Sequence, residues 1–209
     1  MVLAVACGRG EVPNVPAHVD EPHAADPLVP AVVRLAVPRD VLVVGDSEAC
    51  AVGAVARATV QRLNDELVVP HDVVHVECRV GSTVQLWSSG LLRQALARHP
   101  SAEVVVVFLG TNHYGALRAP PVDDLLLQLG DRPCTWVGNV AVHGRAWPIN
   151  AMLRRAVGDR CTYVDSEALA LRLPDGVHPD RASAIAWLRA AWSTVPQRYE
   201  VKDEHDDER

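Results

Sequence analysis

Aromatic residues are scarce: they make up 4% of the chain, with a single phenylalanine. A core must therefore be assembled from Ala, Val and Leu, a palette that suits Val-rich buried strands covered by Ala-rich helices. No uninterrupted apolar stretch reaches the length of a membrane-crossing helix. Blocks of Lys and Arg are also missing, and the net charge is -6, so no basic face for nucleic acid is expected. The five cysteines, Cys7, Cys50, Cys78, Cys134 and Cys161, stand singly without a Cys-x-x-Cys pair. That spacing suggests neither a zinc site nor a disulfide framework, and they read as small buried hydrophobes.

What is present is a globular balance, 49% hydrophobic and 22% charged over 209 residues, enough for one domain with one core. Residues 1–38 are rich in proline, at 13, 16, 22, 27, 30 and 38, which denies the segment a helix and predicts an extended arm or tether. Residues 198–209 carry a run of charges expected to be a solvated tail. The domain proper is expected over 39–197. At the start, Met-Val-Leu-Ala-Val-Ala-Cys is similar to the end of a bacterial lipoprotein signal, with Cys7 as the lipidated residue. It lacks the basic segment and most of the apolar segment that export needs, and Ala4 stands where such signals usually carry Leu. A start site set too far downstream would account for both departures, and so would coincidence. A lipid anchor with a cell-envelope location and a cytoplasmic location both stay open.

Within the domain, short β-branched runs alternate with longer helical patterns. Strands are predicted at 41–44, 73–77, 104–109, 135–137 and 162–164, and helices at 48–67, 84–98, 122–129, 148–157 and 181–195. In the last helix Ile185, Leu188, Trp192 and Val195 recur at helical spacing, and Asp180 is a candidate N-cap. Such alternation implies a mostly parallel sheet with helices on both faces. Reactive groups then belong on loops leaving the carboxyl ends of the strands.

Four such loops carry candidate chemistry. The first strand runs into Gly45-Asp46-Ser47-Glu48 and then a helix; a serine there lies beside unpaired N–H groups and the positive end of the helix dipole, which favour an oxyanion. Gly-Asp-Ser is also what an ordinary turn and cap would use. The last connection reads Asp175-Gly-Val-His178, in which the carboxylate can reach the imidazole Nδ1–H and leave Nε2 to take a proton from a serine; an Asp-Gly turn with a helix-start histidine is the plain alternative. Gly81 follows the second strand and could present its N–H at close range. Asn112, in Gly110-Thr-Asn112-His113 after the third strand, offers a carboxamide donor.

Taken in order, Gly-Asp-Ser47, Gly81, Asn112 and Asp175-x-x-His178 resemble the block pattern of the SGNH hydrolases, also called the GDSL esterase and lipase family, over about 41–195. The resemblance implies an α/β fold: a three-layer α/β/α sandwich with a mostly parallel five-stranded sheet of flavodoxin type. It implies a carboxylesterase or acetylesterase in which Ser47, His178 and Asp175 form a catalytic triad, and Ser47, Gly81 and Asn112 form the oxyanion hole. No metal or cofactor is implied. Two positions depart from the usual pattern: His113 follows Asn112, and Glu48 follows Ser47, where its charge could slow an anionic substrate. His113, Trp87 and the stretch 136–147, with Trp147 at its end, are candidate substrate contacts, since aromatic faces there could stack on sugars; each of these tryptophans is equally well a core residue. A short-chain or carbohydrate O-acetyl ester, a small molecule or glycan, is the expected substrate. An O-acyltransferase using the same triad, a lipase or thioesterase, and a non-catalytic glycan-binding relative are the other classes the pattern admits.

Overall fold

The computed structural model describes residues 33–36, 39–67, 72–113, 120–140, 148–196 and 199–202, all within the compact unit Val33–Arg209. Five strands form one sheet: β2 (Asp40–Gly45), β3 (Val73–Cys78), β4 (Val104–Phe108), β5 (Cys134–Val137) and β6 (Thr162–Val164). Their order is β3-β2-β4-β5-β6, and every pairing is parallel. The helices are α1 (Ser47–Leu67), α2 (Val84–Leu86), α3 (Leu92–Arg98), α4 (Val122–Leu129), α5 (Pro148–Val157) and α6 (Arg181–Trp192). Between α2 and α3 the chain kinks at Gly90, whose φ of 149° is non-helical, so the single helix expected over 84–98 is interrupted.

Two-sided burial explains the composition. Val41, Val43, Val104, Val106 and Phe108 pack on one face against Ala49, Val52 and Ala56 of α1 and Trp187, Leu188 and Ala191 of α6. Leu42, Val44, Val105, Val107 and Leu109 alternate with them and pack on the other face against α3, α4 and α5. Successive strand residues point to opposite faces, so a strand covered on both sides reads as an unbroken apolar run. Each fully buried Val, Leu or Phe contributes about 1.5–3 kcal/mol of hydrophobic stabilisation. Asp180 does cap α6, its Oδ1 accepting from Ser183 N–H at 2.8 Å.

The amino-terminal edge of the sheet is tied by Arg39, which is buried. Its guanidinium bonds Asp72 and donates to Val195 O at 2.9 Å and Pro196 O at 2.8 Å. Trp192 Nε1 also donates to Asp72, at 3.1 Å, so the end of α6 is held against the start of β2.

Two expectations are corrected. The cysteines are not free hydrophobes: Cys50 is bonded to Cys78, and Cys134 to Cys161. Neither pair has a local signature, because each joins residues that only the strand order brings together. Cys7 lies outside the described residues. The ends of the expected arm and tail are also not wholly tether and solvated coil, since β1 (Val33–Ala36) pairs antiparallel with β7 (Tyr199–Lys202). A second segment supplies there the backbone partners that neither terminal stretch reveals alone.

Candidate active site

Strand β2 lies between β3 and β4, so the loops leaving these three strands are neighbours. The sheet grows in opposite directions from this point, and such a reversal opens a crevice at the carboxyl ends of the strands. Gly45 makes the local geometry possible. A Cβ there would lie 2.0 Å from Phe108 O, and the close approach lets Asp46 N–H donate to that carbonyl at 3.1 Å. The next residue, Ser47, opens α1 and is half-buried. Its N–H belongs to the first turn, which has no intrahelical acceptor and lies at the positive end of the helix dipole.

Hydrogen bonds knit the three loops together. Asp46 Oδ1 accepts from Glu48 N–H at 3.0 Å, while Asp46 Oδ2 accepts from Asn112 Nδ2 at 3.3 Å. The same Asn112 nitrogen donates to Ser82 O at 2.9 Å. A carboxamide has two N–H groups, so one nitrogen serves both acceptors, with the contact to Asp46 the longer. Ser82 Oγ accepts from Trp87 Nε1 at 2.8 Å, and Ser82 N–H donates to Arg79 O at 3.1 Å. Gly81, in the turn thus formed, has φ +71°, a left-handed conformation that favours glycine. Nothing lies within 4 Å of where its Cβ would be, so the residue faces open space.

The Asp175 loop is built around one carboxylate. Asp175 Oδ1 accepts from the N–H groups of Val177 at 2.9 Å and His178 at 2.7 Å, which folds the turn back on itself. Asp175 Oδ2 is 2.7 Å from His178 Nδ1. The His178 contact, followed by these backbone bonds, holds the carboxyl well below its usual range. With Nδ1–H on the carboxylate, Nε2 carries the lone pair. No hydrogen bond joins Ser47 Oγ to His178 Nε2, and neither atom bonds another described residue. In its protonated form the ring favours the ionised Asp46 carboxyl.

Burial pushes the Asp46 carboxyl up to about 6, against the hydrogen bonds and the His178 charge that favour its ionised form. Glu48 is 0% exposed. Burial first, and the nearby Asp46 charge second, raise its carboxyl well above its ordinary range. The Thr111 hydroxyl acts in the opposite direction but donates to Asn139 Oδ1 at 3.3 Å, and among the described residues neither Glu48 oxygen has a hydrogen-bond partner. The expectation that Glu48 would present a charge to substrate is therefore corrected, since the side chain points into the core.

Three of the expected substrate contacts are occupied elsewhere. Trp87 is 3% exposed and belongs to the core beneath α2, with its indole N–H on Ser82 Oγ, so its faces are not free to stack on a sugar. Trp136, in β5, is fully buried, with Nε1 donating to Leu109 O at 3.2 Å. His113 Nε2 accepts from Val84 N–H at 2.9 Å, satisfying the first turn of α2, and burial lowers the pKa of its ring. This is a structural contact linking the β4 loop to the β3 loop. Trp147 lies outside the described residues. Sequence reasoning missed Ser82, the common partner of Asn112 and Trp87. A serine after Gly81 carries no signal of that role, which arises only when three loops meet.

No family model matches the chain, and no curated protein does. Solved structures do share its fold. The structure of TesA superposes with a TM-score of 0.56 at 21% identity, covering 75% of this chain and 97% of that one. A lipase/acylhydrolase from Enterococcus faecalis gives 0.55 at 16% identity, covering 77% and 99%. An acetyl xylan esterase gives 0.55 at 16% identity, covering 75% and 100%. The α/β fold is thus that of known esterases and lipases, over most of this chain and nearly all of each of theirs.

Proposed function

We propose that the chain is an SGNH-type serine esterase, with Ser47 as nucleophile, His178 as general base and Asp175 as the group that orients it. The observation that carries this reading is the 2.7 Å contact between Asp175 Oδ2 and His178 Nδ1. In the neutral ring this contact keeps the proton on Nδ1 and leaves Nε2 to take one from a serine. The shared fold of solved esterases supports it.

The reaction runs in two steps. Ser47 Oγ attacks the ester carbonyl carbon as its proton passes to His178 Nε2, and the imidazolium formed is stabilised by Asp175. The carbonyl oxygen becomes an oxyanion that accepts from Ser47 N–H, Gly81 N–H and one Asn112 Nδ2–H, the last released from Asp46. Collapse expels the alcohol, which takes the proton from His178. Water then attacks the acyl-serine by the same route, releasing the acid and restoring Ser47. Donors fixed to a sheet edge before substrate arrives need little reorganisation in the transition state, and this is their advantage over water.

The substrate class we infer is a short-chain ester, a carbohydrate O-acetyl group in particular. An acetyl xylan esterase and an acetyl-xylooligosaccharide esterase among the structures sharing this fold support it, whereas Trp87 does not. A fluorophosphonate probe should label Ser47 and no other residue, and Ser47→Ala should abolish labelling and p-nitrophenyl acetate hydrolysis while the fold persists. Wild-type rates in the Ser47→Ala protein would end the assignment. Turnover should fall from acetyl to butyryl to octanoyl esters; an eight-carbon preference would overturn the acyl-group reading alone.

A further inference from the structure

The two disulfides sit at opposite edges of the sheet. Cys134 opens β5 and Cys161 immediately precedes β6, so their bond closes the amino-terminal edge, with the residues 4% and 5% exposed. Cys78 ends β3 and is in register with Gly45. Cys50 lies in the first turn of α1, its N–H donating to Asp46 O at 3.2 Å. That bond therefore spans the carboxyl-terminal edge, three residues after Ser47 on one side and three before Gly81 on the other.

We propose that the Cys50–Cys78 disulfide is a positioning element of the ester-hydrolysing site: it sets the distance between the oxyanion donors Ser47 N–H and Gly81 N–H, and opening it lowers turnover. This rests on the reading of Ser47 as nucleophile. Strand β3 is the edge of the sheet, paired only with β2 and partly exposed along its length, so its end has no second strand to hold it in register. On the other side of the turn, Gly81 faces open space. The described noncovalent links from this loop back to β2 are Arg79 N–H to Gly45 O at 2.9 Å and the longer Ser82 Oγ to Gly45 O at 3.5 Å. Asn112 reaches Ser82 from β4. Oxyanion donors have to be held within about 0.5 Å of the productive geometry, and misplacement by about 1 Å costs on the order of a hundredfold. A covalent link three residues from each donor supplies that restraint.

The second disulfide serves as an internal control. The two bonds have sequence separations of 28 and 27, so the loop-closure entropy removed from the unfolded chain is nearly equal. Loss of either should reduce stability alike, while only one stands beside the donors. They also differ in access: Cys78 is exposed and Cys50 half-buried, whereas Cys134 and Cys161 are buried. A dithiol reductant reaches the first bond sooner. Its thiolate attacks one sulfur to give a mixed disulfide, and its second thiol displaces the cysteine. Two electrons pass to the protein, leaving two protein thiols and an oxidised, cyclic reductant.

The experiment compares wild type, Cys50→Ser/Cys78→Ser and Cys134→Ser/Cys161→Ser. It measures kcat and KM on p-nitrophenyl acetate, fluorophosphonate labelling of Ser47, and the thermal midpoint. Both double variants should lose similar stability. Only Cys50→Ser/Cys78→Ser should lose turnover, by about 10- to 100-fold with KM within about twofold, because the donors act on the transition state. Wild type treated briefly with dithiothreitol, with the freed thiols mapped to Cys50 and Cys78, should show the same fall and recover on reoxidation. This second arm needs no variant to fold. Equal kcat in the two double variants, or full kcat in wild type with Cys50 and Cys78 reduced, would overturn the proposal while labelled Ser47 kept the nucleophile assignment. A wild-type protein inert to the probe would instead remove the nucleophile assignment and, with it, the proposal.

Discussion

Replacing Glu48 by leucine should stabilise the protein. The residue it replaces is fully buried at the start of α1, and neither carboxyl oxygen has a hydrogen-bond partner among the described residues. A buried polar group left unpaired costs about 1–3 kcal/mol, and leucine fills a similar volume with groups that the surrounding core solvates. The expected gain is therefore about 1–3 kcal/mol, which for a chain of this size raises Tm by about 2–4 °C per kcal/mol. The gain should also depend on pH. Burial raises the Glu48 carboxyl above its ordinary 4.5, so above that pH the folded chain keeps a proton that the unfolded chain has lost. The native state then binds more protons, and wild-type stability falls as pH rises, by about 1.4 kcal/mol per pH unit, until the folded carboxyl ionises. The leucine variant lacks the Glu48 part of this dependence, so its advantage should widen from pH 4.5 upward. Urea unfolding of both proteins from pH 4.5 to 8, with Ser47 labelling to verify the site, measures this. A leucine variant less stable than wild type, or a difference constant with pH, would refute the placement of a neutral carboxyl in the core.

Asn112→Ala should lower kcat by about 10²–10³ through loss of an oxyanion donor, with the bond to Ser82 O lost from stability at about 1 kcal/mol; steady-state kinetics beside thermal unfolding separate the two. Asp46 is pushed from 3.8 to about 6 in the fold, so its contribution to stability is present below 3.8 and declines by about 3 kcal/mol as pH rises to 6. Denaturation curves for Asp46→Asn should lack that decline, and parallel pH profiles would contradict it. Gly45→Ala would set a Cβ 2.0 Å from Phe108 O, a backbone atom that cannot swing aside, and should destabilise by about 3 kcal/mol, the upper end of the usual cost of overpacking, in urea titration. Alkylation in denaturant should leave Cys50, Cys78, Cys134 and Cys161 unmodified until a reductant is added, because all four are held in disulfides.

Much of the architecture was legible because it depends on local chemistry. The Val runs of β2 and β4 announce strands buried on both faces, and α4, α5 and β6 fall where periodicity and turn residues put them. The Asp175–His178 pair was legible for the same reason: a carboxylate three residues before an imidazole, in a turn containing glycine, can meet it without help from the rest of the chain. Apart from the break at Gly90 within the helix expected over 84–98, the errors are long-range. Trp87 has the same local surroundings whether it faces solvent or core, and its burial is decided by the helices that close over it. Glu48 looks like a favourable acidic residue in a first helical turn, and only the packing of α1 on the sheet turns it inward.

Sequence by itself determined the element types, the parallel sheet and the residue kinds available at the ends of the strands, because hydrophobic period and turn chemistry act over a few residues. Tertiary structure decided which side chains share the site. Strand order β3-β2-β4 brings Ser47, Gly81 and Asn112 to one edge, joins Cys50 to Cys78, and makes Ser82 the common partner of Asn112 and Trp87. Those contacts depend on register between strands separated by tens of residues, and that register is set by the burial of the whole sheet rather than by any segment of it.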